Sequence, residues 1–315
     1  MTSVAVLDDY QGVALAMADW SEVRRRARVD VFRDHVADPA ALVERLRPYP
    51  VVVLMRERTP LPAHVIDRLP ALRLIVTTGR RNPSVDVAAA RSRGIVVCGT
   101  GSLATAPGEL TWALILGLCR HLVEEVGNVR SGGWQTTLGT DLAGRTLGVV
   151  GLGRIGSQVA TVGRAFGMEV LAWSANLTAE RAAAVGASAV PFEELLSRSD
   201  VVTVHQVLSD RTRGLVGDSE LRLMKPTAFL VNTSRAAVVD TEAVVEALRD
   251  HRLAGAGLDV FDEEPLPADD PLRSVPGLLL TPHIGYVTEG VYRRFYAEVV
   301  EDILAFLDGT PLRTL

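Results

Sequence analysis

The stretch that decides the fold is Leu147-Gly-Val-Val-Gly-Leu-Gly-Arg-Ile-Gly156, in which an apolar run leads directly into Gly151-x-Gly153-x-x-Gly156. The first glycine permits a tight turn, the second lets the backbone approach a pyrophosphate, and the third lets a helix pack on the strand. A helix-like stretch follows as far as Phe166, and the next apolar run begins at Glu169. A glycine-rich turn without a ligand is the alternative, but the flanking strand and helix favour a dinucleotide-binding unit.

The residue about 20 positions beyond such glycines is usually an acid that binds the adenosine ribose hydroxyls. Ser174 stands at that place, and the first arginine after it is Arg181. A serine does not repel a 2′-phosphate, yet no arginine follows closely enough in the sequence to clamp one. We therefore expect NAD as the cofactor, and NADP stays open.

Short apolar runs separated by helix-like segments recur on both sides of this unit. Runs of three to six residues in such a rhythm are typical of buried parallel strands. They are Val4–Leu7, Val51–Met55, Leu72–Thr77 and Ile95–Cys98, and then Leu147–Val150, Glu169–Trp173, Val201–Val204, Ala228–Val231, Ala256–Val260 and Leu278–Leu280. The sequence thus predicts an α/β protein with two doubly wound parallel-sheet domains, each built on its own group of runs.

The predicted domain boundaries follow from a long apolar segment between the two groups of runs. Residues 102–287 would form a Rossmann domain, and residues 1–101 with 288–315 a discontinuous, flavodoxin-like substrate domain whose last helix is 290–307. We expect the active site in the cleft between them.

The segment 103–130 is predicted to be one long helix that is apolar nearly all round. A helix of that kind needs a partner on two sides, so we expect a homodimer through the nucleotide domain. The residues on its overlapping faces are Trp112, Leu114, Ile115, Leu118 and Leu122.

Composition excludes several classes of protein. The 315 residues include 33 basic and 38 acidic side chains, a net charge of −5, which argues against nucleic-acid or anionic-membrane binding. No apolar run is long enough to span a bilayer and no signal peptide is evident, so we expect a cytoplasmic protein. Cys98 and Cys119 cannot form a four-cysteine metal site, and none is expected. The only lysine, Lys225, precedes Pro226, which argues against a P-loop or Schiff-base chemistry.

Polar side chains that suit nicotinamide-dependent chemistry follow three of the later strands. Arg235 ends Val231-Asn-Thr-Ser-Arg235, Glu264 lies in Leu258-Asp-Val-Phe-Asp-Glu-Glu264-Pro265, and His283 lies in Leu280-Thr-Pro-His283-Ile-Gly285. Open α/β sheets bind ligands at the carboxyl ends of their strands. Reduction of a 2-oxo acid requires three groups. A cation binds the carboxylate, an acid protonates the carbonyl oxygen, and a third group orients that acid.

Together these motifs, in this order and spacing, resemble the D-2-hydroxyacid dehydrogenase family, which includes phosphoglycerate dehydrogenase. The resemblance is strongest in residues 145–290 and weaker in the first hundred. It implies that Arg235 binds the substrate carboxylate and carbonyl, since a guanidinium fork matches two oxygens. It also implies that His283 is the acid in reduction and the base in oxidation, and that Glu264 hydrogen-bonds to His283 and orients it.

The family resemblance extends to the cofactor and the rest of the substrate. The cofactor residues would be Gly151, Gly153, Arg154, Ile155, Gly156, Ser174, His205, Thr233, Asp259 and Gly285, with the Arg154 and Ile155 backbone on the pyrophosphate, His205 at the adenine end and Asp259 at the nicotinamide end. The substrate residues would be Arg56, Gly79, Arg80, Arg81 and Arg235.

Three places depart from the family pattern, and the mildest is Ala236, which replaces a glycine. Arg80 and Arg81 replace small residues of a glycine-rich loop, so they are either a solvated basic pair or extra charge that suits an acidic or larger substrate. Tyr286 replaces a common glycine, and we expect it to narrow the pocket. Two other functions remain possible on this fold, namely other hydride chemistry such as formate oxidation and a non-enzymatic NAD-sensing scaffold or corepressor.

Overall fold

The computed structural model of the chain describes residues 2–315 and divides them into two compact units. Unit 1 consists of residues 2–103 together with Thr288–Leu315, and unit 2 of Ala104–Val287. Each unit contains one sheet, and all pairings between its strands are parallel. The predicted α/β class is confirmed.

The strands and helices alternate along the chain. The strands are β1 (Thr2–Val6), β2 (Ala27–Val31), β3 (Val51–Leu54), β4 (Leu74–Thr77), β5 (Val96–Gly99), β6 (Thr146–Val150), β7 (Glu169–Trp173), β8 (Ser188–Ala189), β9 (Val201–Val204), β10 (Phe229–Asn232), β11 (Gly255–Leu258) and β12 (Leu278–Leu280). The helices are α1 (Ser21–Arg26), α2 (Pro39–Leu46), α3 (Ala63–Ile66), α4 (Val87–Ser92), α5 (Ala106–Cys119), α6 (Leu122–Arg130), α7 (Arg154–Ala165), α8 (Ala179–Ala183), α9 (Phe192–Arg198), α10 (Asp218–Leu221), α11 (Thr241–Arg249) and α12 (Glu289–Leu307).

The sheet of unit 1 has the strand order β2-β1-β3-β4-β5, which is the flavodoxin-like order. Its central strands β3 and β4 are buried throughout, as expected for strands covered by helices on both faces. The sequence predicted only four of the five strands. The missed one, β2, is an edge strand that pairs only with β1, and its charged Arg28 and Asp30 interrupt the apolar run.

The sheet of unit 2 has the order β12-β11-β10-β9-β6-β7-β8, the Rossmann order with one added strand at the β12 edge. Its chain order reverses between β6 and β9, so the carboxyl end of β6 lies at the position where such sheets bind ligands. The prediction of six strands is one short. The missed strand, β8, is only two residues long and both are exposed, so it carries no apolar signal.

The single helix predicted over 103–130 is wrong. The chain forms α5 and then α6, and the break is at His121, whose φ of 48° lies in the left-handed region. The apolar residues of α5 are buried within unit 2; Trp112, for example, packs on Phe166 with ring centroids 4.9 Å apart. They therefore need no partner subunit. No residue of α6 is buried, and that helix carries the exposed apolar surface instead.

The last helix forms as the sequence predicted. Thr288 caps it by accepting a hydrogen bond from the Val291 N–H, and Val291, Phe295, Val299 and Ile303 are completely buried in unit 1. No helix within residues 2–315 combines the length and the apolar character needed to cross a membrane.

Candidate active site

The glycine loop of unit 2 turns from β6 into α7 in the way its spacing predicted. Gly151 has a φ of 105°, which favours glycine, and its N–H donates to the Trp173 carbonyl at 2.7 Å. A side chain on Gly156 would collide with the Gly151 carbonyl, whereas one on Gly153 would meet nothing within 4 Å. The loop therefore packs tightly on one side and leaves open space on the other, at Gly153.

The amino end of α7 faces that space. Gly153 caps the helix, and the first intrahelical bond runs from the Ser157 N–H to the Gly153 carbonyl at 2.9 Å. The N–H groups of Arg154, Ile155 and Gly156 come before that bond and have no acceptor inside the helix. With the helix dipole, they form an arrangement that suits a pyrophosphate.

Two further residues complete this end of the site. The Ser174 hydroxyl accepts a hydrogen bond from the Leu152 N–H at 2.9 Å, so Ser174 supports the loop itself. The His205 N–H donates to the Val150 carbonyl, and its buried Nε2 atom has no hydrogen-bond partner among residues 2–315. Burial lowers the pKa of His205 to about 4, so the ring is neutral. The unpartnered Nε2 atom of His205 and the open space at Gly153 fit a dinucleotide.

Arg235 is placed by the turn that follows β10. The buried Asn232 donates from Nδ2 to the Arg235 carbonyl at 3.0 Å and accepts from the Ser234 N–H at 3.0 Å. Thr233 shares a 2.9 Å hydrogen bond with Thr111 of α5. The Arg235 guanidinium donates to the Ser234 carbonyl at 2.7 Å. These contacts fix the position of Arg235 just beyond the carboxyl end of β10.

Glu264 and His283 follow the neighbouring strands β11 and β12, and their side chains meet. His283 Nδ1 lies 2.6 Å from Glu264 Oε2, and the other carboxylate oxygen, Oε1, accepts from the Phe261 N–H at 2.9 Å. Both side chains remain partly exposed, at 22% for His283 and 29% for Glu264. The Phe261 N–H thus anchors the Glu264 carboxylate, while both side chains of the pair remain accessible to solvent.

Asp259 holds the loop that carries His283. Its Oδ1 accepts from the Thr281 hydroxyl at 2.6 Å and the Ile284 N–H at 2.8 Å, and its Oδ2 accepts from the Gly285 N–H at 2.9 Å. Burial raises the pKa of Asp259, and these hydrogen bonds oppose that effect. They also support His283 in a left-handed conformation, with a φ of 51°.

Comparison with known proteins gives the same family as the motifs. The family model described as D-isomer specific 2-hydroxyacid dehydrogenase, NAD binding domain, matches residues 112–285. A glyoxylate reductase of Aeropyrum pernix is 42% identical over 78% of this chain and 76% of its own, and one of Korarchaeum cryptofilum is 36% identical over 92% and 89%. A crystal structure of a phosphoglycerate oxidoreductase from Vibrio cholerae superimposes with a TM-score of 0.93 at 37% identity, covering 98% of this chain and 100% of that one.

The chain belongs to the D-isomer specific 2-hydroxyacid dehydrogenases. It is an oxidoreductase that transfers a hydride between a nicotinamide dinucleotide and a 2-oxo or 2-hydroxy acid. The predicted family, fold and reaction class are confirmed. No group of three or more potential metal ligands occurs in the described part of this dehydrogenase.

The remaining candidate residues of this dehydrogenase lie in unit 1, at the carboxyl ends of β3 and β4. The Arg56 guanidinium lies against the backbone of Gly79 and donates to the Thr78 carbonyl at 3.1 Å. The Gly79 N–H donates to the Thr100 hydroxyl at 2.8 Å, so this amide is already used within the unit. Arg80 and Arg81 are exposed.

Sequence reasoning missed the residues that support the catalytic candidates. Asn232 precedes Thr233 and donates to the Arg235 carbonyl, and Thr281 stands two residues before His283 and donates to the Asp259 carboxylate. The available signal was a polar side chain at the carboxyl end of a parallel strand, where open α/β sheets bind their ligands. That signal does not say which partner the side chain will bind.

Proposed function

We propose that this dehydrogenase reduces a small 2-oxo acid to the D-2-hydroxy acid and that His283 supplies the proton. The observation that carries the proposal is the 2.6 Å contact between His283 Nδ1 and Glu264 Oε2. It leaves Nε2 as the nitrogen that can exchange a proton with a ligand. A reduced nicotinamide, when bound, would supply the hydride that C2 accepts. His283 donates its Nε2 proton to the carbonyl oxygen, which gives the alcohol. In the reverse direction Nε2 accepts that proton.

In this proposal Arg235 binds the carboxylate of the substrate. A planar guanidinium can donate two parallel hydrogen bonds to the two oxygens, which fixes the orientation of the 2-oxo acid as well as its charge. The hydrogen bond from Asn232 supports this role because it fixes the turn that carries Arg235 beyond the end of β10. Arg56, Gly79, Arg80 and Arg81 are the further substrate residues of the proposal, and the names of the relatives make glyoxylate the first substrate to test.

We propose NAD as the main cofactor, held by the glycine loop, Arg154, Ile155, Ser174, His205 and, at the nicotinamide end, Thr233, Asp259 and Gly285. Ser174 adds no negative charge at the adenosine ribose, so it does not exclude NADP. Because both carboxylate oxygens of Asp259 bind the loop of His283, its contribution to the nicotinamide end is to shape that loop.

We also propose a homodimer through unit 2, on a surface that shares only Leu122 with the residues expected from the sequence. Exposed apolar side chains gather on α6 and the segment that follows it, and a monomer rarely exposes such a group. They are Leu122, Val123, Val126, Val129, Trp134 and Leu138. A second copy of this chain would cover them.

The test is a substrate panel with a matched variant. NADH or NADPH is mixed with glyoxylate, pyruvate, oxaloacetate and other 2-oxo acids, and the absorbance of the reduced cofactor is followed. We expect consumption with at least one acid, and a fall in kcat of two or more orders of magnitude for His283→Ala with NADH binding within about twofold. His251→Ala, in a loop of the same unit, is the control. Equal turnover by His283→Ala and the unaltered enzyme would falsify the assigned role.

A further inference from the structure

Beside the pair of His283 and Glu264 lies an aromatic residue that the proposed chemistry does not use. Tyr286 lies three residues after His283 and is 8% exposed. Its ring meets the His283 imidazole edge-on, with centroids 5.5 Å apart and planes 76° apart. Its backbone is defined by the Asp259 bond to the Gly285 N–H and by the turn bond from the Val287 N–H to the Ile284 carbonyl at 2.8 Å. The ring is therefore a fixed surface against the imidazole.

One hydrogen bond does not fix the plane of an imidazole. The torsion between the Cβ atom and the ring is soft, and rotation about it moves Nε2 while a flexible carboxylate can follow Nδ1. Glu264 is 29% exposed and has room to follow. A second contact from another direction is needed to fix the ring plane, and with it the direction in which Nε2 points. A buried aromatic ring at a steep angle to the imidazole provides that contact.

We infer that Tyr286 is a positioning residue for the reaction, which holds the plane of the His283 imidazole so that Nε2 points at the carbonyl oxygen. This inference rests on the proposed role of His283. It concerns the ring of Tyr286, because the contact that carries the inference is between the two rings. Loss of the ring should slow proton transfer while the carboxylate and cofactor sites keep their contacts.

The test compares three substitutions in the full-length enzyme. For Tyr286→Ala we expect kcat to fall roughly 10- to 100-fold, the cost of misplacing a reacting group by about an ångström, while KM for the 2-oxo acid changes less than about threefold. Tyr286→Phe keeps the ring and should retain at least about half of kcat. Tyr286→Leu fills much of the volume without a flat ring and should lie between them.

Two readouts separate positioning from general destabilisation. The solvent deuterium isotope effect on kcat should rise in Tyr286→Ala, because proton transfer becomes slower than the other steps, and the Kd of NADH should stay within about twofold. Phe192→Leu removes another aromatic contact of unit 2, the one with Trp173 at 4.6 Å, without touching His283, and should leave the isotope effect unchanged.

Each outcome decides one of the two claims. If His283→Ala abolishes turnover but Tyr286→Ala turns over within twofold of the unaltered enzyme, the inference about Tyr286 is wrong and the role of His283 stands. If His283→Ala itself keeps its turnover, the proposed function fails first. If Tyr286→Phe falls as far as Tyr286→Ala, the hydroxyl and not the ring carries the effect, and the inference is overturned.

Discussion

His283 Nδ1 lies 2.6 Å from Glu264 Oε2, and that contact leaves Nε2 as the ring nitrogen that does not bind the carboxylate. Glu264→Gln keeps the shape of the side chain but removes the charge that stabilises a positive imidazole during proton transfer. We expect kcat to fall roughly 100-fold, within the range contributed by general acid–base catalysis. Steady-state turnover of NADH with the best 2-oxo acid measures it. Glu263→Gln, on the exposed part of the same loop, is the control, and a Glu264→Gln enzyme as fast as that control would contradict the assignment.

Arg235 should not tolerate lysine. The lysine side chain keeps the positive charge but cannot donate two parallel hydrogen bonds to a carboxylate. A lost charged hydrogen bond costs about 1.5–3 kcal/mol, which is roughly 10- to 100-fold in kcat/KM. We expect Arg235→Lys to lose that much with an unchanged Kd for NADH. Lys225→Arg is the reverse exchange at the amino ends of β9 and β10, where Lys225 pairs with Asp200, and the strand ends that carry Arg235 are on the other side of the sheet. Equal kcat/KM for Arg235→Lys and the unaltered enzyme would remove Arg235 from the substrate site.

The residue at position 174 should determine how strongly the enzyme prefers NADH to NADPH, and Ser174 should give only a weak preference. An aspartate at that position places a negative charge where the 2′-phosphate of NADP would lie. We expect Ser174→Asp to weaken NADPH binding by about tenfold or more and to change NADH binding far less. Fluorescence titration of each reduced cofactor gives both Kd values.

Ser174→Ala is the matched control for that experiment. It removes the hydroxyl that accepts the Leu152 N–H without adding charge, so it should weaken both cofactors to a similar extent. If Ser174→Asp also weakens both cofactors equally, the charge at this position does not decide the choice between them.

The exposed face of α6 should hold two copies of the chain together. Light scattering on a sizing column should give about 68 kDa for the unaltered protein, twice the chain mass of 33.9 kDa. Val126→Asp places a charge in the centre of that face and should return the mass to that of one chain. Val162→Asp alters a valine on α7 that is 38% exposed and should leave the dimer intact. A mass of one chain for the unaltered protein at micromolar concentration would exclude the dimer.

Asp302 should make the stability of unit 1 depend on pH. Its side chain is buried, and burial raises its pKa to about 6, although Arg313 opposes the shift and Glu298 and Glu301 add to it. Because the folded state favours the protonated carboxyl, its contribution to stability is complete below pH 4 and is lost as the pH rises through 6. The resulting loss of folding stability between acidic and neutral pH is about 3 kcal/mol.

Asp302→Asn tests this by removing the titration. The unaltered protein should lose stability relative to Asp302→Asn between pH 4 and pH 7, by about 3 kcal/mol. Calorimetric unfolding temperatures of both proteins at several pH values measure that difference. Asp308→Asn, which removes an exposed carboxylate at the end of the same helix, is the control. A constant difference between Asp302→Asn and the unaltered protein across this range would show that Asp302 does not titrate there.

The sequence predicted the buried parts of the fold well because buried parallel strands read as continuous apolar runs. Val51–Leu54 and Leu147–Val150 are examples. It failed at β2 and β8, where an edge position or a length of two residues removes that signal. It also failed at His121, because a single left-handed residue divides a helix without changing its apolar pattern.

For the candidate site, the sequence located the residues but not their contacts. Glycine spacing alone specified the turn at Gly151, since few other residues adopt that backbone. The hydrogen bond between Glu264 and His283 depends on how two loops after adjacent strands are arranged. Only the family resemblance predicted it. The edge-on contact of Tyr286 had no signal at all, because it depends on the angle between two rings.

Unit 1 is assembled from both ends of the chain, with all of unit 2 inserted between Leu103 and Thr288. On the ribosome, unit 2 is therefore complete while unit 1 still lacks α12 and the apolar residues Val291 and Phe295 that fill its core. The first segment of unit 1 is synthesised before unit 2 but cannot complete its fold until α12 has been synthesised. This reverses the usual order, in which the amino-terminal domain folds first during translation. Until then the nascent chain carries an incompletely covered sheet, and this interval is when we expect it to depend most on chaperones.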